Sequence, residues 1–261
     1  MKIIIYNRKT LTGLLGLSII LLSTCIVFFY KFNGRIELFQ LLSFEKTSIS
    51  KCCQNNSIAK LTYPLRDNIE TFKQIALKHG TDKVGSHNYE YVYGQLLGPI
   101  RFDQVNFLEI GLGCGMHYGP GKSIPVWKEF LPNARVSILE YDEKCARPFE
   151  DKVDHLYVGD QRDVDFMKNI GAQGGPYDIV VDDGGHTRAM QINSLVALWP
   201  YIKNNGGIYI IEDIFTSSFE NYNDNKSQSA VDLMMEMIVV LNDPSRLNKI
   251  WKTISPEIHS S

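Results

Sequence analysis

The sequence lacks most of the features that assign a protein class at a glance. Its 27 basic and 29 acidic residues leave a net charge of −2, so there is no electrostatic footprint for nucleic acid. The five cysteines, Cys25, Cys52, Cys53, Cys114 and Cys145, form no CxxC pair and no zinc spacing. Their odd count argues against a disulfide framework, and inert thiols are the expectation; the neighbours Cys52 and Cys53 leave lipidation or pairing with another chain open. A P-loop is missing: Gly121-Lys122-Ser123 has its ending, but Met116 stands where the leading glycine belongs. A dinucleotide fingerprint is missing too, because the third glycine counted from Gly111 would again be Met116. With 261 residues, 44% hydrophobic and 21% charged, the chain is otherwise ordinary for one globular domain with appendages.

One long uncharged run is present. Residues 11–30 carry no charge over about twenty positions, the span of a bilayer core. Lys2, Arg8 and Lys9 precede it, and Lys31 and Arg35 follow. The run is long for a signal-peptide core and no small-x-small site closes it, so residues 1–31 are expected to be a basic tail and a transmembrane signal anchor. A cleaved signal peptide is the competing reading. The positive-inside rule then predicts a single-pass type II membrane protein of the endoplasmic reticulum or Golgi, with a lumenal catalytic domain. Residues 32–64, rich in Ser, Asn, Lys and Gln without periodicity, read as a stem. Asn55-Asn56-Ser57 and Asn225-Lys226-Ser227 are glycosylation sequons, meaningful only on the lumenal side.

Residues 65–261 read as one domain whose first part, 65–104, is a helical cap. Leu65, Ile69, Phe72, Ile75 and Ala76 recur at helical spacing until Gly80 stops them. His79-Gly80-Thr81-Asp82-Lys83 follows, with His87, Tyr89 and Tyr93 beyond. These residues either pack around a helix start or cover a cofactor, offering Lys83 or His87 to an anionic group.

From there the pattern alternates. Strands are expected at 105–110, 135–140, 155–158, 177–182 and 208–211, with helices at 124–130, 142–149, 163–170 and 187–202 between them. That order predicts an α/β fold with a doubly wound, mostly parallel, Rossmann-like sheet. Right-handed crossovers bring all the strand ends to one edge, where ligands bind. Glycines follow the first expected strand and acids follow the other four, an arrangement that scattered surface acids would not give.

The glycine turn is GxGxG at Gly111, Gly113 and Gly115, preceded by Glu109. Without a pyrophosphate motif it suits a ligand with a ribose and an amino-acid tail. Glu140 can accept from two ribose hydroxyls, and Asp160 and Gln161 can face an adenine edge. Asp182, Asp183, Glu212 and Asp213 bring hard oxygen ligands to adjacent strand ends, a set suited to magnesium. Consecutive strand residues face opposite ways, so Asp182 and Asp183 need not both bind. Helix capping is the competing reading for these acids. His186, three residues past Asp183, can accept a hydroxyl proton near neutral pH.

These residues resemble the class I S-adenosylmethionine-dependent methyltransferases over roughly residues 65–240. More narrowly, the chain is similar to the metal-dependent macrolide sugar O-methyltransferases of the mycinamicin and tylosin type and to cephalosporin hydroxylase-like proteins. The resemblance rests on His79-Gly80-Thr81-Asp82-Lys83 with His87 and Tyr89, Leu108-Glu109-Ile110-Gly111, Val181-Asp182-Asp183-Gly184-Gly185-His186 and Ile211-Glu212-Asp213. It implies S-adenosylmethionine held by Glu109, Gly111, Gly113, Gly115, Glu140, Asp160, Gln161 and Asp182. It implies magnesium on Asp183, Glu212 and Asp213, His186 as catalytic base, and a hydroxyl of a sugar or polyol, in a small molecule or glycan, as acceptor. Partners are then the substrate and, through residues 11–30, a membrane, with a second copy of the chain left open. A hydroxylase-like enzyme on the same scaffold, or a non-catalytic or truncated cofactor-binding domain, are the alternatives.

The pattern departs from that family at the end. Class I methyltransferases finish with an antiparallel strand pair, whereas residues 230–241 read as a helix and the sequence stops at Ser261. The closing pair is expected to be missing, leaving the fifth strand as an exposed edge.

Overall fold

A computed structural model describes residues 26–32, 35–41, 56–224, 228–233 and 235–236, with side chains described from residue 66 onward. The elements run, in chain order, β1 (Ile26–Phe32), β2 (Arg35–Leu41), α1 (Asn56–His79), α2 (Glu90–Leu96), β3 (Asn106–Ile110), α3 (Ser123–Phe130), β4 (Arg135–Glu140), α4 (Glu143–Ala146), β5 (His155–Val158), α5 (Val164–Gly174), β6 (Ile179–Asp182), α6 (Arg188–Leu198) and β7 (Gly207–Ile211). The seven strands form one sheet in the order β2-β1-β7-β6-β3-β4-β5. The five expected strands appear as β3 to β7, all parallel to their neighbours among themselves, so the Rossmann-like reading holds.

The period-2 alternation of buried strands sorts the core into two layers. Phe107, Val136, Ile138, Ile179, Val181, Ile208 and Ile210 join the layer that also holds Phe72, Tyr93 and Trp127 from α1, α2 and α3. Leu108, Ile110, Leu139, Val180, Tyr209 and Ile211 face the opposite layer, with Met167, Leu195 and Leu198 from α5 and α6. Burying such a side chain is worth ~1.5–3 kcal/mol, so a register slip in any central strand would expose an entire face. On the first face Tyr93 packs edge-on to Trp127 at 4.9 Å and Phe72 edge-on to Phe130 at 5.1 Å, which fastens the helical cap to the sheet. The helix read from Leu65 onward begins earlier, at Asn56, and ends where expected: Gly80, at φ +69°, donates its N–H to the Ala76 carbonyl at 3.0 Å.

Two expectations at the N-terminus are corrected. Ile26 to Tyr30, the last part of the run read as a transmembrane helix, belong to strand β1, and the stretch read as stem contributes β2. β1 runs antiparallel to β7, pairing Val27 with Ile211 and Lys31 with Gly207, and β2 runs antiparallel to β1. The antiparallel pair expected to be missing is therefore present, supplied from the other end of the chain. The physical reason is shared: Ile-Val-Phe-Phe-Tyr has high strand propensity, and an unpaired β7 edge offers a full row of backbone groups. Among the described residues no helix is long and apolar enough to cross a membrane. Residues 1–25, with the rest of the expected anchor, lie outside the described residues, as do Cys25, Cys52, Cys53, the sequon residues Asn55 and Asn225 and the end of the chain.

Candidate methyl-transfer site

The carboxyl ends of β3, β4, β5, β6 and β7 carry the residues singled out in the sequence. Gly111 follows β3 directly at φ +100°, and a Cβ there would lie 2.1 Å from the Asp183 carbonyl oxygen. Only glycine lets the end of β6 approach the turn this closely. Glu140, at the end of β4, is buried and accepts from three backbone groups: Leu112 N at 2.9 Å, Tyr141 N at 2.8 Å and Asp142 N at 3.0 Å. It thus ties the glycine turn to the next strand. Asp160 and Gln161 part company. Asp160 is held by the Arg162 guanidinium at 2.6 Å, which keeps its carboxyl below the usual range. Gln161 is buried; its amide donates to Asp182 Oδ1 at 2.7 Å and its oxygen accepts from Gly185 N at 3.0 Å. In this arrangement Gln161 braces the β6 turn and does not lie free for an adenine edge.

A covalent tie reinforces the turn. Cys114 and Cys145 form a disulfide, against the expectation of inert thiols. They are 31 residues apart in sequence, but β3 and β4 are neighbours, so the turn after one and α4 after the other bring the two Cα atoms to 6.1 Å.

The acids on β6 and β7 divide by strand parity. Asp182 points to the α5–α6 side, where Gln161 and the Tyr209 hydroxyl, at 3.1 Å, donate to it. Burial raises its pKa to about 7, against the lowering effect of those two donors. Asp183 and Glu212 share the opposite face with Glu109, and there they meet Lys83 from the cap. Lys83 Nζ lies 2.7 Å from Asp183 Oδ2, 2.7 Å from Glu212 Oε1 and 3.5 Å from Glu109 Oε1. Lys83 is 1% exposed. Burial alone would lower its pKa, but the attraction of Asp183, Glu212 and Glu109 outweighs it and keeps the ammonium charged. Glu109 is raised chiefly by burial, partly offset by Lys83 and by the Ser123 hydroxyl, which donates at 2.6 Å. Glu212 is raised by burial and by Asp183; besides Lys83 it accepts from the Tyr93 hydroxyl.

Asp213 would face the far side by parity, but its backbone is left-handed, at φ +52°, which breaks the alternation. Tyr89 donates to its Oδ1 at 2.5 Å, and His87 Nδ1 lies 3.4 Å from the same oxygen. His186, also left-handed at φ +60°, places Nε2 3.8 Å from Asp183 Oδ1 and 3.9 Å from Asp213 Oδ2. Asn88, between His87 and Tyr89, is the third such residue, at φ +55°. All three non-glycine residues with positive φ among the described residues therefore belong to this one site or its cap, and such strain concentrates where function holds it. Donor atoms of Asp183, His186 and Asp213 come within 4.8 Å of one another, close enough for the two carboxylates to share one divalent cation beside the imidazole. Of the three expected metal ligands, Asp183 and Asp213 converge with His186, whereas Glu212 is drawn back to Lys83 and Tyr93. The HGTDK segment signals Lys83, and Tyr89 and Tyr93 stand with it as candidate cap residues; the role of Ser123 has no local signal.

No protein-family model matches the chain. Curated relatives do. A tetracenomycin-C rhamnosyl 2'-O-methyltransferase of Streptomyces olivaceus is 32% identical over 182 residues, covering 67% of this chain and 47% of that protein. Mycinamicin VI 2''-O-methyltransferase of Micromonospora griseorubida is 34% identical over 156 residues, covering 57% and 37%. Among solved structures, MycE methyltransferase from the mycinamycin pathway, in complex with Mg, SAH and mycinamycin VI, is 29% identical with a TM-score of 0.58, over 66% of this chain and 48% of that one. Over the shared part the chain is similar to class I methyltransferases of the macrolide sugar type. It spans less than half the length of these relatives. The expected family resemblance stands on both sequence and fold.

Proposed function

We propose that the protein is an S-adenosylmethionine-dependent O-methyltransferase acting on a sugar or polyol hydroxyl, with magnesium at the acidic cluster. The observation that carries this reading is the convergence of Asp183, His186 and Asp213 beside the glycine turn of a methyltransferase sheet. The cofactor, when bound, supplies the electrophilic methyl group; Gly111, Gly113 and Gly115 admit its amino-acid end, and Glu109, Glu140, Asp160, Gln161 and Asp182 surround or brace that cradle. Asp183 and Asp213, with Glu212 in reach behind Lys83, would hold a divalent ion, which would favour the ionised form of a nearby hydroxyl. His186 Nε2 takes the hydroxyl proton, and the Asp183 and Asp213 carboxylates on either side stabilise the imidazolium that results. Tyr89 holds Asp213 in place from the cap, with His87 beside it.

The secretory location belongs to the same reading. The Cys114–Cys145 disulfide supports an oxidising compartment. Glycosylation at Asn55 would agree with a lumenal domain, and an unmodified Asn55 in secretory cells would count against it.

The test is calorimetric titration with S-adenosylhomocysteine, with and without Mg2+, followed by methyl transfer to a panel of glycosides. Absence of cofactor binding sinks the reading. Retained methyl transfer after His186→Ala removes His186 as the base, and a fall in metal affinity in the same variant makes it a ligand instead.

A further inference from the structure

Lys83 stands at the centre of the site, and methyl transfer gives it no task. It arrives from the cap, 100 residues before Asp183 and 129 before Glu212, and its Nζ bonds both carboxylates at 2.7 Å. Glu109 faces the same nitrogen at 3.5 Å, and the Trp127 ring lies 5.7 Å from it. Glu109, Lys83 and Glu212 are all 2% exposed or less. Three carboxylates with their ends on neighbouring strands repel one another once water is excluded, and one ammonium answers only part of that charge. Asp183 is divided between two cations' worth of demand: Oδ2 is bonded to Lys83, while Oδ1 belongs to the open group with His186 and Asp213.

We propose that Lys83 is the resident counter-cation of this acidic cluster and competes with a divalent metal ion for Asp183 and Glu212. The inference rests on the metal reading given above and adds to it the residue that sets the affinity. A metal ion that takes Glu212 must displace Lys83 from it. One held by Asp183 and Asp213 alone still shares the Asp183 carboxylate with the ammonium. Either way the lysine opposes metal binding, and either way it holds the cluster together when no metal is there.

The probe is Mn2+, titrated calorimetrically into the wild type and into Lys83→Gln, which removes the charge but leaves an amide able to donate to Glu212. The expected result is about tenfold tighter Mn2+ binding in the variant, within the ordinary range of coupling between two sites, with a larger rise in Tm on adding Mn2+. Lys83→Arg, which keeps the charge, should show no tightening. A folded Lys83→Gln protein that binds Mn2+ equally or more weakly overturns the proposal. If Lys83→Gln fails to fold without metal, the proposal requires Mn2+ to restore a cooperative melt, and misfolding that persists at saturating Mn2+ counts against it. Failure of both proteins to bind Mn2+ removes the metal reading as well, whereas tight binding by the wild type with no change in the variant removes only the role of Lys83.

Discussion

The two ends of the site are built differently. The cofactor end, from β3 to β4, is made of backbone: glycines at positive φ, a carboxylate that ties three amides, and a disulfide across the turn. The acidic end, from β6 to β7, is made of side chains, and Lys83, Tyr89 and Tyr93 reach it from a cap that precedes β3 in sequence. The first has its geometry set within 31 residues of chain. The second depends on docking α1 and α2 onto the sheet. The lesson is a division of labour: one end holds a fixed shape for a fixed ligand, and the other holds charge in balance.

His186→Ala breaks the comparison most strongly. Methyl transfer should fall about 10²–10⁴-fold while S-adenosylhomocysteine affinity stays constant, measured by label transfer and calorimetry. Parallel loss of both would mean that the two ends are not separable. Gly111→Ala comes next, because the turn and the end of β6 touch there: a Cβ would sit 2.1 Å from the Asp183 carbonyl. A loss of about 3–4 kcal/mol in urea unfolding is expected, with both cofactor and metal affinity lowered. Cys145→Ser opens the loop that the disulfide closes and should cost about 3 kcal/mol, weakening S-adenosylhomocysteine binding more than Mn2+ binding. Equal weakening of the two would show that the turn also supports the acidic end.

The last effect is a slope with pH. Folded Asp182 keeps its proton up to about pH 7, whereas the unfolded chain ionises it near pH ~4. Between those values the folded state binds more protons, so stability falls as pH rises through that window and levels off above it. The slope contributed is at most about 1.4 kcal/mol per pH unit, and Asp182→Asn should flatten it in chemical unfolding of the metal-free protein.

Much of the fold was legible because buried parallel strands are short apolar runs with a strong boundary. All five sit where the apolar runs stop, and Glu109, Glu140 and Asp182 lie inside those strands at or next to their ends. What misled was residues 26–30: an uncharged aromatic and β-branched run satisfies a bilayer and a sheet edge equally well, and only an unpaired β7 decides between them. Cysteine counting failed for a related reason, since Cys114 and Cys145 pair through the adjacency of β3 and β4, not through spacing.

The sequence by itself determined the alternation of strands and helices, the glycine turn and the row of acids at the strand ends, because each of these is local. Tertiary structure alone decided which acid faces which way. Parity sent Asp182 to Gln161 and Tyr209, brought Asp183 and Glu212 to Lys83, and a left-handed backbone at Asp213 turned it back toward His186 and Tyr89. Charge is balanced in space, across 100 residues of chain, and no stretch of sequence carries that distance within itself.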